Sequence, residues 1–264
     1  MPVTITTVRD FKRRGEKFAM LTCYDYTTAL ILAAAEIPVI LVGDSMGNVL
    51  LGYGSTLPVT MEDILIHARA VARGAPQQLL IGDMPFGSYQ AGEHAAIENA
   101  MRLLEAGMHA IKLEGGGFTA RLTEMMVQRG IPVMGHVGLT PQFVNAMGGF
   151  RVQGKEGRDA ERIRQQAREL QDAGAFSVVV EGVPRDLART MTEELEIPTI
   201  GIGAGPDCDA QVLVITDMLG LTQGPMPKFA KPYAQLGDAV RDAARAFADE
   251  VRSGAFPDDA HSYH

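Results

Sequence analysis

Val39-Ile40-Leu41-Val42-Gly43-Asp44-Ser45 decides the fold. Four apolar, mostly β-branched residues, opened by Pro38, stop at Gly43 and give way to a carboxylate and a hydroxyl. Such a run predicts a buried strand that delivers Asp44 to its C-terminal end. The plan recurs at Leu79-Leu80-Ile81-Gly82-Asp83, Ala110-Ile111-Lys112-Leu113-Glu114, Val133-Met134-Gly135-His136 and Ser177-Val178-Val179-Val180-Glu181. Each is apolar and ends on a group that can titrate or bind a metal. If the strands lie parallel in one sheet, these five end residues converge on one mouth.

Outward from these runs, Phe18-Ala19-Met20-Leu21-Thr22 reads as a first strand, Thr199-Ile200-Gly201-Ile202 as a seventh and Val212-Leu213-Val214-Ile215 as an eighth. Helical patterns separate almost all of them. Tyr24-Asp25-Tyr26 follows the first strand and leads into an alanine-rich helix to about Glu36. Thr60 and Asp63 form a capping-box pair ahead of the stripe Ile64, Ala68, Val71, Ala72, which packs a helix on a sheet. Further helices are expected at about 92–105, 158–173 (with Ile163, Ala167 and Leu170 on one face), 185–195 and 235–252. Two long loops, 46–58 and 137–157, have the length of binding loops or lids.

An internal repeat supports the same architecture. Glu105-Ala106-Gly107 to Glu114-Gly115 and Asp172-Ala173-Gly174 to Glu181-Gly182 align without a gap: helix end, glycine turn, apolar strand, terminal Glu-Gly. Alternating strands and helices demand a parallel sheet. Eight units in 264 residues favour a closed (β/α)8 TIM barrel, a single α/β domain over residues 1–264 with a short N-terminal segment and a C-terminal helix plus tail. The GxGxxG fingerprint is absent after the first strand, so an open doubly wound sheet is the weaker alternative.

Composition narrows the function class. An apolar fraction of 46% and a charged fraction of 21% describe an ordinary globular chain, and 24 − 32 gives a net charge of −8, against a nucleic-acid or anionic-membrane surface. Cys23 and Cys208 belong to no CxxC pair, which suggests neither a disulfide framework nor a zinc knuckle. No signal-like or membrane-length apolar run is present, and a cytoplasmic location is expected.

The converging residues suggest a chemistry. Asp44, Asp83 and Glu114 from three neighbouring strands offer hard oxygen donors, the preference of Mg²⁺ or a similar ion. An ion so held keeps open positions at which a 2-oxo acid can chelate and its enolate be stabilised. The plainer alternative is that these acids cap helices or bond loop amides, which suits any one of them better than all three. Lys112 shares a face with Glu114 and is placed to neutralise a bound carboxylate or enolate, or to pair structurally with an acid. Glu181 has Val179 where the other repeat has Lys112. With no cation on its own strand it is expected to be the less stabilised carboxylate and the proton acceptor. His136 either orients a product hydroxyl, relays a proton or is a satisfied core residue. Gly201-Ile202-Gly203-Ala204-Gly205 is either a phosphate cradle or a tight turn that leaves room for a ligand.

At these residues the sequence resembles the ketopantoate hydroxymethyltransferase family over nearly its whole length. The carrying segments are 42–47, Thr56-Leu57-Pro58-Val59-Thr60, Asp83-Met84-Pro85-Phe86, Lys112-Leu113-Glu114-Gly115, Gly135-His136-Val137-Gly138-Leu139-Thr140-Pro141-Gln142, 201–205 and Pro227-Lys228-Phe229-Ala230-Lys231. Gly54, Val137 and Thr216 depart from the family's usual residues.

The resemblance implies a barrel of the phosphoenolpyruvate mutase and isocitrate lyase type. It implies transfer of a one-carbon unit from 5,10-methylenetetrahydrofolate to 3-methyl-2-oxobutanoate, giving 2-dehydropantoate for pantothenate synthesis. It further implies one Mg²⁺ per subunit on Asp44 and Asp83, with Glu114 as a third ligand. Asp44, Ser45, Asp83, Lys112 and His136 would lie around the oxo acid, Glu181 would be the catalytic base, and the assembly would be a homo-oligomer, commonly a decamer. The nearest rival is a carbon–carbon lyase of the same superfamily, which typically uses a cysteine acid in a KKCGH-type loop that this chain lacks. A non-catalytic acid-binding barrel is the rival from another class.

Overall fold

In a computed structural model, which describes residues 2–224 and 226–264, the chain starts with a helix that the apolar runs did not announce, α1 (Ile5–Arg14). Thr4 caps it, with Thr7 returning the bond to the Thr4 backbone. The capping box is therefore built with Thr in place of the usual Glu or Gln. Ile5, Val8 and Phe11 form its apolar stripe, and Val8 is fully buried against the barrel core.

The chain then runs β1 (Phe18–Thr22), α2 (Tyr26–Ala34), β2 (Val39–Val42), α3 (Met46–Val49), α4 (Met61–Gly74), β3 (Leu79–Asp83), α5 (Glu93–Glu105), β4 (Ala110–Lys112), α6 (Phe118–Val127) and β5 (Val133–Gly138). It continues with α7 (Val144–Met147), α8 (Gly157–Asp172), β6 (Ser177–Glu181), α9 (Arg185–Glu194), β7 (Thr199–Ile202), β8 (Ala210–Leu213), α10 (Ile215–Met218) and α11 (Leu236–Ser253). The eight strands close into one parallel barrel in sequence order, with β1 pairing to both β2 and β8. This is the (β/α)8 architecture the alternation predicts.

Period-2 alternation sorts side chains into two layers. Met20, Val39, Leu41, Leu79, Ile81, Ala110, Met134, Val179, Ile200 and Val212 fill the barrel. On the outer face, Val137, Val178 and Val180 meet Ile163, Ala167 and Leu170 of α8 and Leu187, Ala188 and Met191 of α9. The Thr60–Asp63 capping box forms as expected, and Ile64, Ala68 and Val71 are fully buried. The repeat is visible in the backbone: Gly107 after α5 and Gly174 after α8 have φ of 97° and 96°, a region in which side-chain-bearing residues are strained.

Two boundaries and one helix differ from expectation. The eighth strand begins at Ala210 and ends at Leu213, because its register is set by Phe18 pairing with Ala210, and Ile215 opens α10 instead. β4 ends at Lys112, so Glu114 lies just past the strand. α6, a helix with no counterpart among the expected elements, follows β4. The long loops carry α3 in one case, and a 3₁₀ turn (Pro141–Phe143) and α7 in the other.

Packing divides the chain into two compact units, one running to Val214 and one from Ile215 to His264. The first contains the closed barrel. In the second, Tyr233 N donates to Met218 O and Leu236 N to Leu219 O, and Phe247 packs edge-on against Phe256 at 5.6 Å. Among the described residues no helix is long and apolar enough to cross a membrane.

Candidate active site

Inward parity carries Asp83, Lys112, His136 and Glu181 to the carboxyl end of the barrel, each two residues beyond an inward core residue of its strand (Ile81, Ala110, Met134, Val179). Pairing places Asp83 directly beside Lys112. Asp44 arrives differently. Val39 and Leu41 point inward, so continued alternation would turn Asp44 outward. The strand instead stops at Val42 and the chain turns, with Met46 N donating to Gly43 O and Gly47 N to Asp44 O. That turn swings Asp44 into the mouth, where its backbone N–H donates to Asp83 Oδ2 at 3.2 Å.

Asp44, Asp83 and Glu114 thus meet, one carboxylate oxygen of each lying within 4.8 Å of the others, and all three are buried. Lys112 Nζ donates to Asp83 Oδ1 at 2.6 Å and lies 3.5 Å from Glu114 Oε1. His136 stands between two acids, Nδ1 3.4 Å from Glu114 and Nε2 3.1 Å from Glu181. These are ion-pair distances without hydrogen-bond alignment. The carboxylate expected to lack a cationic neighbour on its own strand therefore has one from the next strand. Ser45 sits beside Asp44 in the chain but shares a 2.8 Å hydrogen bond with Tyr24 Oη, and among the described residues no bond ties its hydroxyl to the acids.

Gly138 makes the β5–β6 junction possible. Its φ is 93°, and a Cβ there would lie 2.3 Å from Glu181 O, the atom that accepts the Leu139 N–H. The glycines of 201–205 fit the tight-turn reading. A Cβ on Gly201 would meet Cys208 Sγ at 3.0 Å and one on Gly205 would meet Arg185 at 2.8 Å, so neighbouring side chains already fill those faces.

The electrostatics are unbalanced. Burial, with the nearby charges of Asp83 and Glu114, pushes the Asp44 carboxyl well above the usual carboxylate range. Burial also raises Asp83, even against the Lys112 ammonium. Burial would raise Glu114 too, but the Lys112 and His136 charges outweigh it and hold it at about 2. Burial opposes charge on Lys112 and His136, yet the surrounding carboxylates prevail, raising Lys112 and lifting His136 to about 9. Three buried carboxylates around one ammonium, two of them resisting ionisation, fit a divalent cation by donor chemistry and by charge. Asp44, Asp83 and Glu114 are the residues that can hold it.

Two residues without an assigned role complete the site. Gln142, 2% exposed, lies on the 3₁₀ turn after β5; its backbone N–H donates to Glu114 Oε2 at 3.0 Å, and its Nε2 donates to Asp44 Oδ2 and Met84 O, both at 2.9 Å. Tyr89 Oη donates to Gln142 Oε1 at 2.6 Å and accepts from Glu114 N at 3.2 Å. Gln142 falls inside the family-like segment 135–142, and Pro141 just before it signals a turn start. Tyr89 sits in the loop after β3 with no local signal of a role.

Comparison with known proteins bears on the family and the fold. The family model for ketopantoate hydroxymethyltransferase matches residues 2–259. Curated relatives named 3-methyl-2-oxobutanoate hydroxymethyltransferase include one from Syntrophus aciditrophicus (strain SB), 52% identical over 99% of this chain and 96% of its own length. Another, from Acidothermus cellulolyticus, is 55% identical over 99% and 96%. Among solved structures, phosphonopyruvate hydrolase in complex with oxalate and Mg²⁺ aligns with a TM-score of 0.64 at 14% identity, covering 99% of this chain and 93% of that one. 2,3-Dimethylmalate lyase, a member of the PEP mutase/isocitrate lyase superfamily, aligns at 0.62 and 18% identity, covering 99% and 92%. The structural likeness speaks for the fold, and the sequence match over the whole barrel places this chain in the ketopantoate hydroxymethyltransferase family of enzymes.

Proposed function

We propose that the chain transfers a hydroxymethyl group from 5,10-methylenetetrahydrofolate to 3-methyl-2-oxobutanoate, giving 2-dehydropantoate. The observation that carries the reading is the meeting of Asp44, Asp83 and Glu114 around Lys112, with Glu181 across His136 from them. A divalent ion, Mg²⁺ in this reading, supplies Lewis acidity when bound, polarising the 2-oxo group for a gain of about several kcal/mol. Lys112 offsets the negative charge of the oxo acid and of its enolate. Glu181, the less buried of the site's carboxylates with 14% of its side chain exposed, takes the proton from C3. The N10–methylene bond opens as N10 takes up a proton, equivalent to the one lost from C3, leaving an N5 iminium whose carbon the C3 electron pair attacks. Water then displaces N5 from that carbon, its oxygen becoming the hydroxyl and its proton going to N5, so one water is consumed and tetrahydrofolate released. His136 holds Glu181 on one side and Glu114 on the other, which fixes the base relative to the acids.

The rival carbon–carbon lyase reading needs a cysteine acid. Cys23 and Cys208 are both buried, and burial pushes the Cys23 thiol up to about 11 and raises Cys208 as well, which favours the transferase. The test is exchange of the C3 hydrogen of 3-methyl-2-oxobutanoate in D₂O, followed by NMR without folate. Exchange is expected with Mg²⁺, not with chelator, and not with Glu181→Gln. Full exchange in Glu181→Gln removes Glu181 from the role of base.

A further inference from the structure

We infer that Gln142 is a positioning residue that sets the placement of the Asp44 and Glu114 carboxylates for a divalent cation, with Tyr89 fixing which way its amide points. The inference rests on the acid triad holding such a cation, as proposed above.

The chemistry of the contacts leaves Gln142 one orientation. Its carbonyl oxygen accepts from Tyr89 Oη, and its two amide protons go to Asp44 Oδ2 and Met84 O. Turning the amide over would set the carbonyl oxygen against two acceptors, a carboxylate and a backbone carbonyl, set the NH₂ against the Gln90 amide, and leave the Tyr89 hydroxyl only the longer bond to Glu114 O, 3.3 Å against 2.6 Å. Tyr89 is tied in turn, because its oxygen accepts the Glu114 N–H and its ring stacks on Phe118 at 6.2 Å. The result is a closed circuit: Glu114 N–H to Tyr89, Tyr89 to the Gln142 carbonyl, the Gln142 amide to Asp44, and the Gln142 backbone N–H to the Glu114 carboxylate.

That circuit spans the turn after β2, the loop after β3, the end of β4 and the turn after β5. Asp44 and Glu114 repel each other, and neither bonds the other directly. The amide side chain and backbone N–H of one residue hold one oxygen of each, Asp44 Oδ2 and Glu114 Oε2. Without these donors the two carboxylates rotate apart, and the site has to be reassembled before a cation binds. Hydrogen-bond partners of metal-binding carboxylates are worth about 10–100-fold in metal affinity.

Mn²⁺ is the probe, titrated without substrate and followed by the EPR signal of the free ion. Wild-type binding that Asp83→Asn abolishes establishes the triad as the cation site. Absence of wild-type binding, or equal binding by Asp83→Asn, ends the triad reading and this inference with it. Where wild type binds, Gln142→Met is expected to weaken Mn²⁺ binding about 10–100-fold and Tyr89→Phe about 3–10-fold. The double variant is expected to lose less than the product of the two, since Tyr89 acts largely through the amide. Gln142→Met binding within twofold of wild type, or more tightly, overturns the inference, as do single effects that multiply in full. If Gln142→Met does not fold, Tyr89→Phe decides, and unchanged Mn²⁺ affinity there overturns the inference.

Discussion

At the amino end of the barrel, Lys12 Nζ donates to Asp209 Oδ2 at 2.8 Å and to Thr192 O, while the same carboxylate accepts from Thr199 N and Thr199 Oγ1. One cation meets one anion, and the pair keeps some water, with 16% and 15% of the side chains exposed. At the carboxyl end, Asp44, Asp83 and Glu114 gather around Lys112 while His136 stands between Glu114 and Glu181, four acids to two basic groups, and the Lys112–Asp83 pair is 5% and 2% exposed. The amino end is a finished structural joint tying α1 to β8. The carboxyl end gathers more acids than cations out of water, an imbalance that costs stability and suits a cluster able to take a further cation.

The sharpest way to break this comparison is to neutralise one acid. Asp83→Asn is expected to lower turnover about 10³-fold, the equivalent of several kcal/mol of lost Lewis-acid stabilisation. The same change should raise the thermal midpoint of the metal-free protein, because it removes a disfavoured buried charge. Steady-state kinetics and calorimetry on one preparation test both, and activity near wild type would abolish the functional contrast.

Removing the Lys112 ammonium should cost stability instead. Lys112→Met leaves three buried carboxylates facing one another and is expected to destabilise the metal-free protein by about 3–5 kcal/mol in urea unfolding. Lys12→Met, at the finished end, should lose only about 1–2 kcal/mol and leave kcat unchanged, since that pair is partly solvated and far along the strands from the acids. Equal losses at the two ends would mean that charge balance is not what separates them.

The most gradual expected effect is a slope with pH. His136 is lifted to about 9 from an ordinary 6.5, so in that interval the folded metal-free protein binds more protons than the unfolded chain. Its contribution is full below about 6.5 and is lost as pH rises toward 9, by at most about 1.4 kcal/mol per pH unit. Urea unfolding of wild type and His136→Gln across that range isolates the term. A wild-type slope retained in His136→Gln assigns it elsewhere.

Sequence pattern carried most of the barrel because burial of regular elements is periodic. β2, β3, β5 and β6 are unbroken apolar runs, and α4 and α8 display their inner faces at helical spacing. β8 was displaced by two residues since hydrophobicity favours Val214 and Ile215, whereas strand pairing selects Ala210 and Gln211, the latter exposed and silent in a hydropathy reading. The acids and Lys112 were legible from their places at strand ends. Asp44 was located correctly although alternation alone points it away, the turn after Val42 having made the difference. Gln142 and Tyr89 escaped because they act through hydrogen bonds from irregular loops, which leave no periodic trace.

Joining β1 to β8 has a consequence for synthesis. Lys12 and Asp209 lie 197 residues apart, so the ring cannot shut until nearly all of the first unit has been translated. At about 5–20 residues per second, the edge of β1 that faces β8 waits roughly 10–40 s for its neighbour on the ribosome. A nascent chain in that interval presents an open row of amides and carbonyls, the form most prone to pairing with the wrong strand.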